Sequence, residues 1–193
     1  SEPALLASIP LPPNDYPADG VVPPGRALHE GALSQLQLEG VLYAAQRHRM
    51  TLPGGAERAG FFVGDGAGIG KGRQIAGAML DAACRGEPKH IWVSVSADLL
   101  ADAERDLGDL GCHLPLVNGC RGLDAGARGL QSSAAAGGVL FLTYAGLISS
   151  VARRGAAREA RLAQIERWAG GASFAGVLTF DECHKAKNFD VKH

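Results

Sequence analysis

The sequence predicts an α/β domain in which a parallel sheet carries helices on both faces. Three observations predict it: short apolar runs alternate with amphipathic helical stretches, a glycine-rich turn follows the first run, and two adjacent acids follow the last. Alternating strands and helices favour a parallel sheet that is covered on both sides. A length of 193 residues, 46% of them hydrophobic, suits one domain with a core of useful size.

Composition and charge exclude several classes of protein. The chain has 19 Lys and Arg against 20 Asp and Glu and a formal net charge of −1, so it has no polybasic arm of the kind that gives non-specific DNA affinity. The same composition excludes a disordered tail and a collagen-like repeat. No apolar run reaches the roughly 18 residues of a membrane span, and the four cysteines lack C-x-x-C spacing. We therefore expect a soluble, intracellular protein with reduced thiols and no membrane partner.

The first 30 residues are predicted to form a proline-rich lead-in arm, and residues 31–193 to form the domain. Seven of the ten prolines lie between Pro3 and Pro24, where the missing amide donors exclude a helix or a central strand. From Leu33 to His48 the apolar positions approximate helical spacing, with Ser34 as a candidate N-cap. One amphipathic helix is predicted there.

A strand, a loop and a helix follow in that order. The apolar run 59–63 predicts a buried strand, and it ends in five glycines within nine residues. The alanine-rich stretch 73–85 predicts a helix that Gly86 and Pro88 terminate.

The alternation continues to the end of the sequence. Further strands are predicted at 91–95, 114–117, 139–142 and 177–180. Helices are predicted at 98–110 and 158–168, while residues 119–138 are rich in Gly, Ala and Ser and predict a loop.

Residues 65–71 resemble a Walker A loop. Small residues let backbone amides approach a polyphosphate, and Lys71 can reach the β- and γ-phosphates. A glycine-rich turn with an incidental lysine is the alternative. Asp65 is unusual at the first position, and Gly72 stands where Ser or Thr would give Mg²⁺ a hydroxyl ligand. Water could replace that hydroxyl, or Arg73 could supply charge to the phosphates.

Asp181 and Glu182 directly follow the last predicted strand. Open parallel sheets bind ligands beyond the carboxyl ends of their strands, so the pair suits a Walker B arrangement. Asp181 would hold Mg²⁺ through water, and Glu182 would polarise the attacking water. A surface acidic turn is the alternative when the pair is taken alone. Together with the loop at Lys71, the pair predicts a site for ATP and Mg²⁺.

The two motifs resemble those of superfamily 2 DExD/H-box ATPases, the helicases and chromatin remodellers, and within them the strawberry notch family. The segments that carry the match are 36–39, 64–73, 94–96, 102–107, 143–144 and 181–188. The resemblance implies a three-layer P-loop NTPase lobe of the RecA-like type, incomplete after the Walker B strand. It also implies a further strand between the Walker A and Walker B strands and a second RecA-like lobe. We therefore expect a fragment of a longer protein, marginally stable on its own.

The resemblance also implies roles for single residues. The implied ATP-binding residues are Gln37, Asp65, Gly66, Ala67, Gly68, Ile69, Gly70, Lys71, Gly72 and Arg73. The implied catalytic residues are Lys71, Asp181 and Glu182, with Asp181 also at the metal. Gln37 would read adenine, with a solvated helix residue as the alternative, and His184 would couple nucleotide state to the second lobe. The implied nucleic-acid contacts are Ser94, Ser96, Thr143 and Tyr144. For Ser96 a helix cap is the alternative, and for Tyr144 packing under the sheet.

The resemblance implies a nuclear, ATP-driven, helicase-like regulator of transcription that acts on chromatin or DNA with regulatory protein partners. The alternative is a nucleotide-gated scaffold that binds ATP without translocation, which Gly72 and the near-neutral charge favour. Glu182 favours hydrolysis, because a pure switch has little need of a water-activating residue. A small-molecule phosphotransferase is the least favoured class, because the sequence shows no acceptor-binding residues beside the loop. The isolated chain is expected to hydrolyse ATP weakly, since an arginine finger normally comes from the second lobe.

Overall fold

The computed structural model describes residues 31–55, 57–66, 68–124, 137–151 and 159–188, so the predicted arm lies outside the described residues. The described α-helices are α1 (Gln35–His48), α2 (Lys71–Cys84), α3 (Leu100–Asp109), α4 (Gly119–Asp124), α5 (Tyr144–Leu147) and α6 (Arg161–Ala169). The described strands are β1 (Lys89–Ser94), β2 (Leu116–Asn118), β3 (Gly138–Thr143), β4 (Ser150–Val151), β5 (Glu159–Ala160) and β6 (Leu178–Phe180). Short 3₁₀ turns cover Ala97–Leu99, Gly171–Ser173 and Cys183–Asn188.

Four strands form one parallel sheet in the order β2-β3-β1-β6. The pairing of β1 with β3 runs from Lys89 opposite Gly138 to Ser94 opposite Thr143, and β6 pairs with the other edge of β1. The strands β4 and β5 form a separate antiparallel pair. The predicted α/β class with a parallel sheet is confirmed.

Helices cover both faces of this sheet, and side chains alternate between the two. Trp92 of β1 and Phe141 of β3 pack with Met79 of α2 in a core that also includes residues of α1 and α3. Ile91 of β1 packs on the other face with Trp168 of α6. Because helices cover both faces of the sheet, the two central strands are buried along almost their whole length.

The predicted strand at 59–63 is wrong, because these residues join no sheet in the structure. Phe62 is 74% exposed, and Phe61 is also exposed. An apolar run becomes a strand only when a neighbour supplies backbone hydrogen-bond partners. The outer edge of β6 is unpaired among the described residues, and its Leu178 and Phe180 are exposed. The further strand expected between the Walker motifs stays a prediction.

The predicted loop at 119–138 is also partly wrong, because it begins with α4. Asn118 accepts a hydrogen bond from the Arg121 amide through Oδ1 (3.2 Å), and the buried Leu123 packs against the core on the α6 side. Capping and burial thus outweigh the glycine content of the segment. Residues 125–136 lie outside the described residues. The other predicted elements are present, with ends shifted by no more than about three residues.

His90, at the start of β1, makes stability depend on pH. Its side chain is fully buried, and its Nδ1 accepts a hydrogen bond from the Val177 amide (3.1 Å). Burial lowers the pKa of His90 to about 4, so the folded state favours the neutral ring. Below pH 6.5 His90 becomes protonated in the unfolded chain but stays neutral in the folded chain until the pH approaches its lowered pKa. We expect the free energy of unfolding to fall by up to about 3 kcal/mol between pH 6.5 and pH 4.

Urea denaturation of this chain at pH 7.5, 5.5 and 4.5 measures this dependence. His90→Asn keeps an acceptor for the Val177 amide but cannot titrate, so its stability should fall less over that range. His113→Asn replaces an exposed histidine and is the matched control. A parallel pH dependence of wild type and His90→Asn would contradict the assignment to His90.

Candidate nucleotide-binding site

The glycine-rich loop reaches α2 through two residues in the left-handed region. Gly68 has φ +85° and Gly70 has φ +83°, and Gly70 is the N-cap of α2. Lys71 opens the helix and turns back over the loop. Its Nζ donates to the carbonyls of Asp65 and Gly66, both at 3.3 Å. The lysine is thus held over an exposed loop that begins a helix, an arrangement that suits a polyphosphate. Ala67 lies outside the described residues.

Gln37 supports this loop from α1. Its Nε2 donates to the Ile69 carbonyl (2.8 Å), while its Oε1 accepts from the Ser34 amide (2.9 Å). The Ser34 hydroxyl accepts in turn from the Gln37 amide, which completes a capping box and confirms the predicted cap. Gln37 is only 8% exposed, so the solvated-residue alternative is wrong. The role in reading adenine stays a prediction.

The side chain of Asp65 contacts α2, whereas Lys71 contacts the Asp65 carbonyl. Its Oδ2 accepts a hydrogen bond from Gln74 Nε2 (2.6 Å). Gln74 is buried and approaches α1 at Gly40, where a Cβ would lie 2.1 Å from its Oε1. No sequence pattern predicts the role of Gln74, because nothing local marks a buried helix glutamine as a partner of the loop.

Gly72 has a steric reason to lack a side chain. A Cβ there would lie 2.1 Å from Oδ2 of Asp106 on α3. Burial raises the pKa of Asp106, while Arg105 and Arg73 oppose the shift. A serine at position 72 therefore requires Asp106 to move. The close packing of α2 on α3 thus favours a residue without a side chain at this position.

Arg73 is engaged outside the loop. Its Nη1 donates to the Ala32 carbonyl (3.1 Å), and its guanidinium forms an ion pair with Asp109 of α3. A second ion pair places Nε 3.9 Å from Asp106. None of these partners belongs to the loop, so Arg73 secures the start of α2 against α3. Its predicted contact with phosphate would require a different side-chain position.

Asp181 lies at the carboxyl end of β6, next to the end of β1. Its amide donates to the Val93 carbonyl (2.8 Å), and its Oδ2 accepts from the Ser94 hydroxyl (2.9 Å). The Tyr144 hydroxyl donates to its carbonyl (2.8 Å). Burial, with the nearby Cys183 and Asp181 acting the same way, raises the pKa of Tyr144. Its hydroxyl therefore stays a donor.

Glu182 follows in an uncommon backbone conformation, with φ +52°. Its Oε2 lies 3.2 Å from Nδ1 of His184. Both side chains are exposed. A non-glycine residue in the left-handed region costs about 1 kcal/mol and occurs often at functional sites. The turn presents the Glu182 carboxylate to solvent beside Asp181.

The four predicted nucleic-acid contacts have structural roles in this molecule. Ser94 is 0% exposed, so a side-chain contact between Ser94 and nucleic acid is not possible in this structure. Ser96 accepts from the Asp98 amide (3.2 Å) and caps the turn before α3, as its alternative proposed. Thr143 caps α5 through the Gly146 amide (3.0 Å). Tyr144 packs against the core under the sheet.

The described carboxylates fit a magnesium ion that keeps several waters. Asp181 Oδ1 has no hydrogen-bond partner among the described residues, and Glu182 is adjacent. Within the same part of the chain, no three His, Cys, Asp or Glu side chains meet as a metal-binding group. Mg²⁺ is usually held by one or two carboxylates together with phosphates and water. Asp181 would hold the ion through water, and the ion would supply charge neutralisation of the phosphates.

An apolar cleft of about 530 Å³ adjoins the loop. It lies along α1 and reaches the loop at Asp65. The cleft is lined by Leu36, Glu39, Gly40, Tyr43, Gln46, Arg47, Met50, Phe61 and Asp65. No hydrogen bond or ion pair between described residues joins the loop at Lys71 directly to the acids at Asp181.

Comparison with known proteins identifies the family. Residues 1–193 match the family described as P-loop containing NTP hydrolase pore-1. The chain belongs to this family. It is a P-loop NTPase lobe, and the family implies that it binds a nucleotide.

Curated relatives confirm the resemblance to strawberry notch proteins. The chain is 44% identical over 191 residues to human protein strawberry notch homolog 2, which is 97% of the chain and 13% of that protein. It is 43% identical to Drosophila melanogaster strawberry notch over 86% of the chain and 10% of that protein. It is 47% identical to Arabidopsis thaliana FORGETTER 1 over 81% of the chain and 12% of that protein. The chain therefore spans about an eighth or less of these relatives. No solved structure matches it.

Among the described residues, no helix combines the length and the hydropathy that a membrane crossing requires.

Proposed function

We propose that this chain is the ATP-binding lobe of a helicase-like ATPase that hydrolyses ATP in the full-length protein. The observation that carries the proposal is the turn after β6, where Asp181 is anchored and Glu182 presents a carboxylate to solvent. A scaffold that only binds ATP requires the phosphate loop, but it has little need of a positioned water-activating residue.

The proposal assigns the polyphosphate to the loop and Lys71. Lys71 already rests on two carbonyls, and a phosphate would give its ammonium group a stronger, charge-assisted partner. Glu182 would accept a proton from the attacking water. We propose that the adenine ring of ATP lies in the apolar cleft beside Asp65, because Tyr43 and Phe61 offer aromatic surface next to the loop.

Action on DNA or chromatin in the nucleus, and control of transcription with regulatory proteins, are part of the proposal. Their support is the resemblance to strawberry notch proteins. The near-neutral charge means that a nucleic-acid contact must be local or shared with the second lobe.

The alternative is a nucleotide-gated scaffold. The observation that favours it is Gly72, which has no hydroxyl for Mg²⁺ and where an added Cβ would meet Oδ2 of Asp106. Such a protein would bind ATP, change its affinity for partners and not translocate.

ATP turnover by the full-length protein, with and without DNA, over a series of Mg²⁺ concentrations, tests the proposal. We expect Mg²⁺-dependent turnover that DNA stimulates. ATP binding without turnover under every condition would overturn hydrolysis and leave the scaffold. Turnover that neither DNA nor RNA changes would overturn the nucleic-acid part alone.

A further inference from the structure

The side chain of Ser94 is committed to Asp181. Ser94 ends β1, is fully buried, and lies with its Oγ 2.9 Å from Asp181 Oδ2. An ionised carboxylate only accepts hydrogen bonds, so the serine hydroxyl donates. A hydroxyl without access to solvent has no water as an alternative partner. Its one hydrogen is therefore fixed on this carboxylate oxygen.

The backbone of Asp181 is fixed as well. The amide donates to the Val93 carbonyl, and the Asp181 carbonyl accepts from the Tyr144 hydroxyl, both at 2.8 Å. The ring of Tyr144 stacks on Phe180, with centroids 6.4 Å apart and planes inclined by 16°. With both peptide groups held, the remaining freedom of Asp181 is rotation of its side chain. Ser94 is the described group that removes this freedom.

We propose that Ser94 is a positioning residue that orients the Asp181 carboxylate toward the metal of a metal–nucleotide complex. This inference rests on the proposed function, in which Asp181 holds Mg²⁺ through water. Oδ2 bound to Ser94 leaves Oδ1 as the oxygen that faces no described partner. Since Gly72 offers no hydroxyl, the orientation of this one carboxylate carries more of the metal affinity than in a loop with Ser or Thr.

Metal affinity in the full-length protein tests the role of Ser94. The probe is Mn²⁺, whose binding is followed by electron paramagnetic resonance in the presence of a non-hydrolysable ATP analogue. Ser94→Ala should weaken Mn²⁺ binding by about 10-fold or more, as loss of a partner behind a metal ligand typically does. Binding of the analogue in EDTA should be unchanged. The Mg²⁺ concentration for half-maximal turnover should rise in parallel.

Two further variants separate positioning from packing. Ser94→Thr keeps the donor on a strand that suits β-branched residues, so it should restore metal affinity. Ser94→Cys nearly keeps the volume but donates weakly, so it should resemble Ser94→Ala. Ser173→Ala, which removes an exposed hydroxyl that binds the Gly170 carbonyl (2.7 Å), is the matched control and should leave metal affinity unchanged.

The outcomes distinguish the two proposals. Wild type that binds no Mn²⁺ with the analogue would overturn both the metal site and the role of Ser94. Wild type that binds Mn²⁺, with Ser94→Ala and Ser94→Cys showing the same affinity and only a lower melting temperature, would overturn the positioning role alone. Weaker Mn²⁺ binding in both variants, with rescue in Ser94→Thr, would support it.

Discussion

Lys71→Met should weaken ATP binding and should lower ATP turnover even more strongly in the full-length protein. Methionine keeps the length of the side chain but loses the ammonium group that rests on the Asp65 and Gly66 carbonyls. A hydrogen bond to a charged group contributes about 1.5–3 kcal/mol, so ATP affinity should fall by about 10- to 100-fold. Turnover should fall further, because a donor that stabilises transition-state charge contributes about 10²- to 10³-fold to kcat. Binding of a fluorescent ATP analogue and steady-state ATP turnover measure the two effects.

The fold should survive this change, because both contacts of Lys71 are long and lie on an exposed loop. An unchanged melting temperature is therefore part of the expected result. Lys185→Met removes an exposed lysine close to the acidic turn and serves as the matched control. Equal loss of ATP affinity in both variants would indicate a general effect of charge and contradict the specific role of Lys71.

Local patterns were sufficient to predict much of the fold. Ser34 and Gln37 lie three residues apart, so their capping box is visible in the sequence. The apolar runs within β1 and β3 predict buried strands, and helices cover both of their faces in the structure. The acids after β6 are predicted as a site because parallel strands end at one edge.

Contacts between distant elements were beyond those patterns. Gly72 looks like a missing metal ligand in the sequence, and only the packing of α3 shows that a Cβ at this position would meet Asp106. Ser94 is predicted as a nucleic-acid contact from the sequence, but the pairing of β1 with β6 brings its hydroxyl to Asp181. A polar residue at the buried end of a central strand was the available signal for that role. The segment 59–63 failed as a strand for the same reason, since a partner strand is not encoded in the run itself.

Glu182→Gln should stop hydrolysis while ATP still binds, which separates a motor from a scaffold. Glutamine has the same size and tolerates the same backbone conformation about as well, and it keeps an oxygen near His184, whose Nδ1 lies 3.2 Å from the glutamate in wild type. It cannot accept a proton from water. Loss of a general base typically lowers kcat by about 10²- to 10⁴-fold, and the affinity for ATP should be unchanged because Lys71 and the loop are intact. Single-turnover hydrolysis and fluorescent ATP binding measure both quantities.

The comparison of Glu182→Gln with Lys71→Met then decides the role of the nucleotide. Glu166→Gln, an exposed glutamate on α6, is the matched control and should hydrolyse ATP as wild type does. If both variants lose the cellular function of the full-length protein, hydrolysis drives that function. If Glu182→Gln keeps the function and Lys71→Met loses it, binding is sufficient, and the strained turn at Glu182 needs an explanation other than water activation. Hydrolysis that persists at the wild-type rate in Glu182→Gln would contradict the assignment of Glu182 as the general base, because a glutamine amide cannot accept a proton from water.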